Sequence, residues 1–199
     1  MPKVSDAHLT ARRRQILQAA ATCFARDGFH RTSMQDIVRE SGISAGLVYR
    51  YFAGKDDMIV AIVTEWHERR RPLIEPSADA PGDPTEPAGV YLDLLRSVGR
   101  PEARDDLRLG VQVWAEALRT PRINDLVRRG VDGPRAGAAD LLRQIRESGG
   151  LAAEADPDAL ARIFIAIYQG LMLQTAWDDT VDHDAFVHAV ESLLELLIP

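Results

Sequence analysis

The sequence predicts an all-α protein of about nine helices, and three observations carry that prediction. Apolar residues recur at spacings of three and four along most of the chain, and no stretch sustains the period-two alternation of a half-buried strand. Capping and stop residues punctuate these stretches at helical intervals. One interval, 76–89, holds four prolines and two glycines and reads as a loop or linker between periodic segments.

Composition bounds the rest. The 199 residues, 46% hydrophobic and 27% charged, suit an ordinary globular protein of one large domain or two smaller ones. The longest apolar runs, such as Ile163-Phe164-Ile165-Ala166-Ile167, cover only a few positions, which argues against a membrane-crossing helix. Residues Met1–Asp6 lack the apolar core of a secretory signal, so a cytoplasmic location is expected. Cys23 has no second cysteine with which to form a disulfide or start a zinc site. The net charge of −6 is uneven: residues 1–71 carry +4 and residues 72–199 carry −10. A basic N-terminal third on an acidic remainder points to one part that faces an anion and one that does not.

The elements follow in order. Ile16, Ala20, Cys23 and Phe24 share a face of a first helix that Gly28 stops. Ser33, with Asp36 three residues on, approximates a capping box for a short second helix through Ile37 and Val38, ending near Ser41-Gly42. Ser44 can cap a third short helix running toward Tyr51. A fourth begins with Asp56-Asp57 and ends in Arg69-Arg70-Arg71 before Pro72, acids first and bases last as the helix dipole favours. Beyond the Pro/Gly stretch, Val90, Tyr91, Leu94, Leu95 and Val98 mark a fifth helix. Leu107, Val111, Trp114 and Leu118 mark a sixth. Ile123, Leu126 and Val127 open another segment, whose continuation through Leu141, Leu142 and Ile145 should kink or break at Gly133-Pro134. Asp156-Pro157 is a strong helix start that leads into Leu160, Ile163, Phe164, Ile167, Leu171 and Met172. Asp182 opens the last helix, with Phe186, Val190, Leu193, Leu194 and Leu197.

The stretch that carries chemistry is 32–52. Its two short helices are separated by about four residues containing a glycine, which is helix-turn-helix spacing. In that motif the second helix enters the major groove and its first residues meet base edges. Ser44-Ala45-Gly46 are small residues where backbone must approach a surface closely. Gly46 within a helix costs about 1 kcal/mol relative to Ala, so a compensating reason is expected. Arg12-Arg13-Arg14 near the start of helix 1 opposes the helix dipole. Phosphate contact explains that placement; a solvated basic face is the alternative.

Residues 10–58 resemble the DNA-binding domain of the TetR family of transcriptional repressors. The resemblance runs through Phe24-Ala25-Arg26-Asp27-Gly28-Phe29, Thr32-Ser33, Ile37-Val38, Ser41-Gly42-Ile43-Ser44 and Gly46. It continues through Tyr49-Arg50-Tyr51-Phe52 and Gly54-Lys55-Asp56-Asp57-Met58. It implies an N-terminal helix-turn-helix domain over 1–54 and a helical effector-binding and dimerisation domain over 55–199. Thr32 and Ser33 would bond phosphates, Ser44, Ala45 and Gly46 would lie at the groove floor, and Tyr49 would reach a phosphate or a thymine methyl. Tyr51 and Lys55 would each take a phosphate, and Phe52 would hold helix 3 against helix 1; Arg12 and Arg13 join them as phosphate candidates because their charge opposes the helix dipole. The family often has lysine at 45, threonine at 47 and histidine at 51, so Ala45, Leu47 and Tyr51 remove polar readers. Base discrimination then leans on Gln35, Tyr49 and Arg50 or on DNA shape.

The resemblance also implies a ligand cavity among the middle helices, with Trp66, Tyr91, Trp114 and Tyr168 as candidate lining residues. Gln112, Glu116 or Gln169 are candidate polar anchors for it, and core packing is the competing reading for the aromatics. The wide apolar faces at Ile163, Ile167 and Leu171, and at Phe186, Val190 and Leu193, would pair two copies through a four-helix interface. Burial within one copy is the alternative. The tilt of helix 4, which carries both Lys55 and Trp66, is the expected transmitter between pocket and head. Cys23 reads as a core thiol. His183 and His188 are misspaced for a shared metal face, and Asp178, Asp179, Asp182 and Asp184 read as a cap plus solvated loop. No catalytic constellation, cofactor motif or metal site is read.

The sequence thus points to a cytoplasmic homodimeric repressor that binds a double-stranded, pseudo-palindromic operator and is released by a small-molecule effector. A DNA-binding activator or architectural protein without effector, or a helical small-molecule carrier, are the alternatives.

Overall fold

The computed structural model describes residues 6–74 and 86–197. Among these are nine α-helices, one 3₁₀ turn at Pro101–Ala103 and no strands, as the periodicity predicts. The helices are α1 (Asp6–Asp27), α2 (Met34–Ser41), α3 (Ala45–Tyr51), α4 (Lys55–Ile74), α5 (Glu86–Val98), α6 (Arg104–Ala117), α7 (Pro121–Glu147), α8 (Pro157–Trp177) and α9 (His183–Leu197). Residues 76–85 of the Pro/Gly stretch lie outside the described residues. Its end is helical: α5 begins at Glu86, with Pro87 in the first turn, where a missing N–H costs no bond.

The chain divides into two compact units, one of residues up to Trp66 with Arg108–Val127, the other of His67–Leu107 with Arg128 onward. In the first, Ile16, Cys23 and Phe24 of α1, Ile37 of α2, Val48 of α3 and Met58, Ile59 and Ile62 of α4 are buried together. Leu109, Val113 and Ala117 of α6 and Ile123 of α7 complete that core. In the second, α5 packs on α8 and α9. Ala139, Leu142, Leu151 and Ala161 form a further cluster.

Three elements differ from the sequence reading. Helix α4 runs through Pro72 to Ile74. Helix α7 is one continuous helix with Pro134 inside it, so the ring removes one N–H donor without ending the element. On α6 Leu107 is buried as expected, together with Leu109, Val113, Glu116 and Ala117, while Leu118 is 86% exposed and Val111 and Trp114 are half-buried. Here a buried carboxylate on the inward face disguised it, and the stripe of large apolar residues pointed elsewhere. Among the described residues α8 is the helix long and apolar enough, by length and composition, to cross a membrane, with a mean hydropathy of 1.3. Short apolar runs conceal this length in the sequence, because Arg162, Gln169 and Gln174 divide them.

Candidate nucleic-acid interface

The helix-turn-helix is fixed by local chemistry at each joint. Ser33 caps α2: its hydroxyl oxygen accepts the Asp36 N–H at 3.2 Å, and the Asp36 carboxylate accepts the Ser33 N–H at 3.0 Å, so the capping box is complete. The Ser33 hydroxyl also donates to that carboxylate at 2.6 Å. These bonds from the Ser33 side chain and backbone hold the Asp36 carboxyl below its ordinary 3.8. Gly42 ends α2 at φ +65°, a left-handed conformation that favours glycine, and thereby sets the turn into α3. Gln15 of α1 donates to the Ser41 carbonyl at 2.7 Å and ties the end of α2 to the first helix.

Helix α3 has one buried position, Val48, and an open face. Ala45, Gly46, Tyr49 and Arg50 are exposed, and residues 45/49 and 46/50 stack one turn apart. Ser44 and Gln35 are exposed beside them. Ser44 holds the N-cap position, yet its hydroxyl makes no capping bond; its carbonyl instead accepts from Leu47 and Val48. A Cβ added at Gly46 would meet nothing within 4 Å. The fold therefore leaves room for a side chain at this position.

The flanking residues expected on phosphates are held within the protein. The Thr32 side chain is buried and its hydroxyl donates to the Gly28 and Cys23 carbonyls at 2.9 and 3.2 Å. Lys55 donates to the carbonyls of Phe29 at 2.7 Å and Thr32 at 2.8 Å, and lies 4.7 Å from the Phe29 ring centroid. Arg13 pairs with Glu65 at 2.5 Å and stacks over Phe52, while the Tyr51 hydroxyl donates to the Leu9 carbonyl at 3.3 Å. Arg12 donates to Gln15 at 2.9 Å. Phe52 is buried, where the resemblance put it. Burial raises the Cys23 thiol, which keeps it protonated in the core.

The aromatic candidates belong to different units. Trp66 is buried in the core of the first unit, and Trp114 belongs to that unit too. In the second, Tyr91 lies 5.4 Å from Phe164 and donates its hydroxyl to the Phe164 carbonyl at 2.7 Å; Tyr168 is half-buried. Burial pushes the Tyr91 phenol up, so it stays a neutral donor. Gln112 and Glu116, expected as pocket anchors, face the loop between α1 and α2: Gln112 accepts the Phe29 N–H at 3.0 Å and Glu116 pairs with His30 at 3.0 Å. No sequence signal links positions over eighty residues apart. Of the apolar interface candidates, Ile163 and Leu193 are 51% and 53% exposed, and Ile167 and Phe186 are half-buried. Leu171 and Val190 are a correction: both are buried within the protein, because they lie on the inward sides of α8 and α9. The aspartates do cap and brace, with Asp182 accepting the Ala185 N–H, Asp178 accepting from Thr180 and Asp179 paired with Arg104.

Two family profiles match the chain. That of bacterial regulatory proteins of the TetR family covers residues 16–62, and that of the BetI-type transcriptional repressor C-terminal part covers 93–199, more than half of the sequence. The chain belongs to the TetR family. The HTH-type transcriptional repressor Rv1474c of Mycobacterium tuberculosis is 42% identical over 69 residues, 35% of this chain and 37% of that protein. The chain therefore aligns with little more than a third of that relative. Among solved structures, Salmonella enterica GusR matches with a TM-score of 0.74 and 25% identity over 98% of both chains. A transcriptional regulator of Saccharomonospora viridis in complex with choline matches with a TM-score of 0.80 and 23% identity over 96% of this chain and 99% of that one. As a TetR-family member the protein is a transcriptional regulator.

Proposed function

We propose that this TetR-family regulator is a cytoplasmic homodimeric repressor that lets go of a pseudo-palindromic operator when an effector binds. The observation that carries this reading is the open face of α3. Four exposed residues, one of them a glycine with free space above its Cα, stand on a helix anchored from behind by Val48. That shape suits a helix laid into a major groove with its backbone close to the bases. Ser44, Ala45, Gly46, Tyr49 and Arg50 form the reading surface, with Gln35 at its side. Pairing of copies rests on α8 and α9, whose outer faces leave Ile163, Trp177, Leu193 and Leu196 in solvent. Apolar side chains grouped on two helices favour burial against a partner.

The acidic charge of residues 72–199 favours a cationic effector. The choline complex of the Saccharomonospora neighbour makes choline the first compound to try. Aromatic rings attract quaternary ammonium groups, and Tyr91 and Tyr168 are the candidates within the second unit, with Trp66 and Trp114 in the first. The test is binding to duplexes cut from the DNA flanking the protein's own gene, against scrambled duplexes in ~0.15 M salt. A repressor of this kind discriminates by about 10³-fold or more, and an effector added to the complex releases the DNA. Equal affinity for flanking and scrambled duplexes contradicts the reading.

A further inference from the structure

The loop between α1 and α2 is gripped from two sides. Its carbonyls face α4: Lys55 donates to Phe29 and to Thr32, the residue directly before the α2 cap. Its amide faces α6: the Phe29 N–H donates to Gln112 at 3.0 Å. One turn further along α6, Glu116 reaches the next loop residue, His30, at 3.0 Å. The other oxygen of that carboxylate accepts the Thr120 hydroxyl at 2.7 Å, and the side chain is only 9% exposed, so it is fixed from both ends. The loop closes on itself through Thr32, whose N–H and hydroxyl both donate to Gly28. A shift of α6 relative to α1 cannot leave this loop behind without stranding a buried carboxylate and an amide.

We propose that Gln112 and Glu116 of α6 are positioning residues for operator binding, holding the 28–32 loop, and through it the start of α2, in the register that aims α3 at DNA. The proposal rests on the repressor reading and adds a route to it. An effector that displaces α6 pulls on Phe29 and His30, and Lys55 carries the displacement to the Ser33 cap.

The experiment uses the full chain with Gln112→Met, which keeps length but removes the acceptor, and Gln112→Glu, which restores one. Three quantities are read: affinity for the flanking duplex, thermal unfolding, and hydrogen exchange at the Phe29 amide. Gln112→Met is expected to weaken operator binding on the order of tenfold, with faster Phe29 exchange, and Gln112→Glu to return the affinity to within about threefold. Thermal unfolding separates positioning from folding: the affinity falls in a chain that still unfolds near the wild-type temperature. Wild-type affinity in Gln112→Met, or a loss that Gln112→Glu does not recover, overturns the proposal. If Gln112→Met fails to fold, His30→Ala at the exposed end of the second contact takes its place; several-fold weaker binding supports the clamp and unchanged binding overturns it. Failure of the unmutated chain to tell flanking from scrambled DNA overturns the repressor reading itself, and it is distinguishable because it shows before any substitution is made.

Discussion

At the scale of single residues, Gly46 separates what the fold requires from what a partner requires. Helical glycine is less stable than alanine, and no neighbour within 4 Å objects to a Cβ. Gly46→Ala should therefore stabilise the protein by about 0.5–1 kcal/mol while lowering operator affinity, read by thermal unfolding and DNA titration on the same preparation. A variant that gains stability and keeps full affinity would show that DNA does not approach the backbone there. Asp36 behaves in the opposite sense with pH: its folded value is depressed, so its contribution is complete above the ordinary carboxylate value of 3.8 and is lost as pH falls through the lower, folded one. Residues whose work is local were legible in the sequence, as with Ser33, Asp36, Gly42 and the Asp156 cap, because cap and turn chemistry spans only a few positions. The resemblance implies phosphate contacts for Thr32, Lys55 and Tyr51, and the placement of charge against the helix dipole implies one for Arg13. In the free protein they bond to Gly28, Phe29, Glu65 and Leu9, pairings that periodicity does not encode.

At the scale of elements, α8 and α9 carry the clearest statement about assembly. Their inward residues, Leu171, Met172, Val187, Val190 and Leu194, are spent within the protein, and a second apolar set remains outside. Ile163→Asp with Leu193→Asp places two charges on that outer set and leaves the inner one intact. Sedimentation should then report a folded monomer whose operator affinity falls by more than tenfold, since each copy would reach a half-site alone. A double variant that still sediments as a dimer would move the interface elsewhere. The presence and order of the helices were legible, since long amphipathic segments announce themselves. Which face of each helix turns inward was less so. On α8 and α9 the apolar positions exceed what one face can bury, so the sequence could not separate inward positions from outward ones. On α6 the inward face carries Gln112 and Glu116, and their partners, Phe29 and His30, lie in a distant loop. Helix α7 shows the same limit from the other side, because Pro134 costs one donor but not the helix.

At the scale of the whole molecule, charge and architecture divide the work. The +4 of residues 1–71 accompanies the motif that faces DNA, and the −10 of the remainder suits a region with no phosphate to bind. Helix-turn-helix identity was legible because its spacing, cap and turn glycine are consecutive. The partners of Gln112, Glu116 and Tyr91 were not, because they lie on distant segments whose relative placement no local pattern records. In the proposed repressor, α3 reads the major groove of a symmetric site as one of a pair. Methylation interference at guanine N7, which lies in that groove, tests it most directly on the flanking duplex. The expected pattern is two inverted clusters of interfering guanines on one face of the helix, separated by a whole number of turns, about 10–10.5 base pairs each, and weakened together in Gly46→Ala. Interference that is absent, or spread evenly without inverted clusters, would contradict the account.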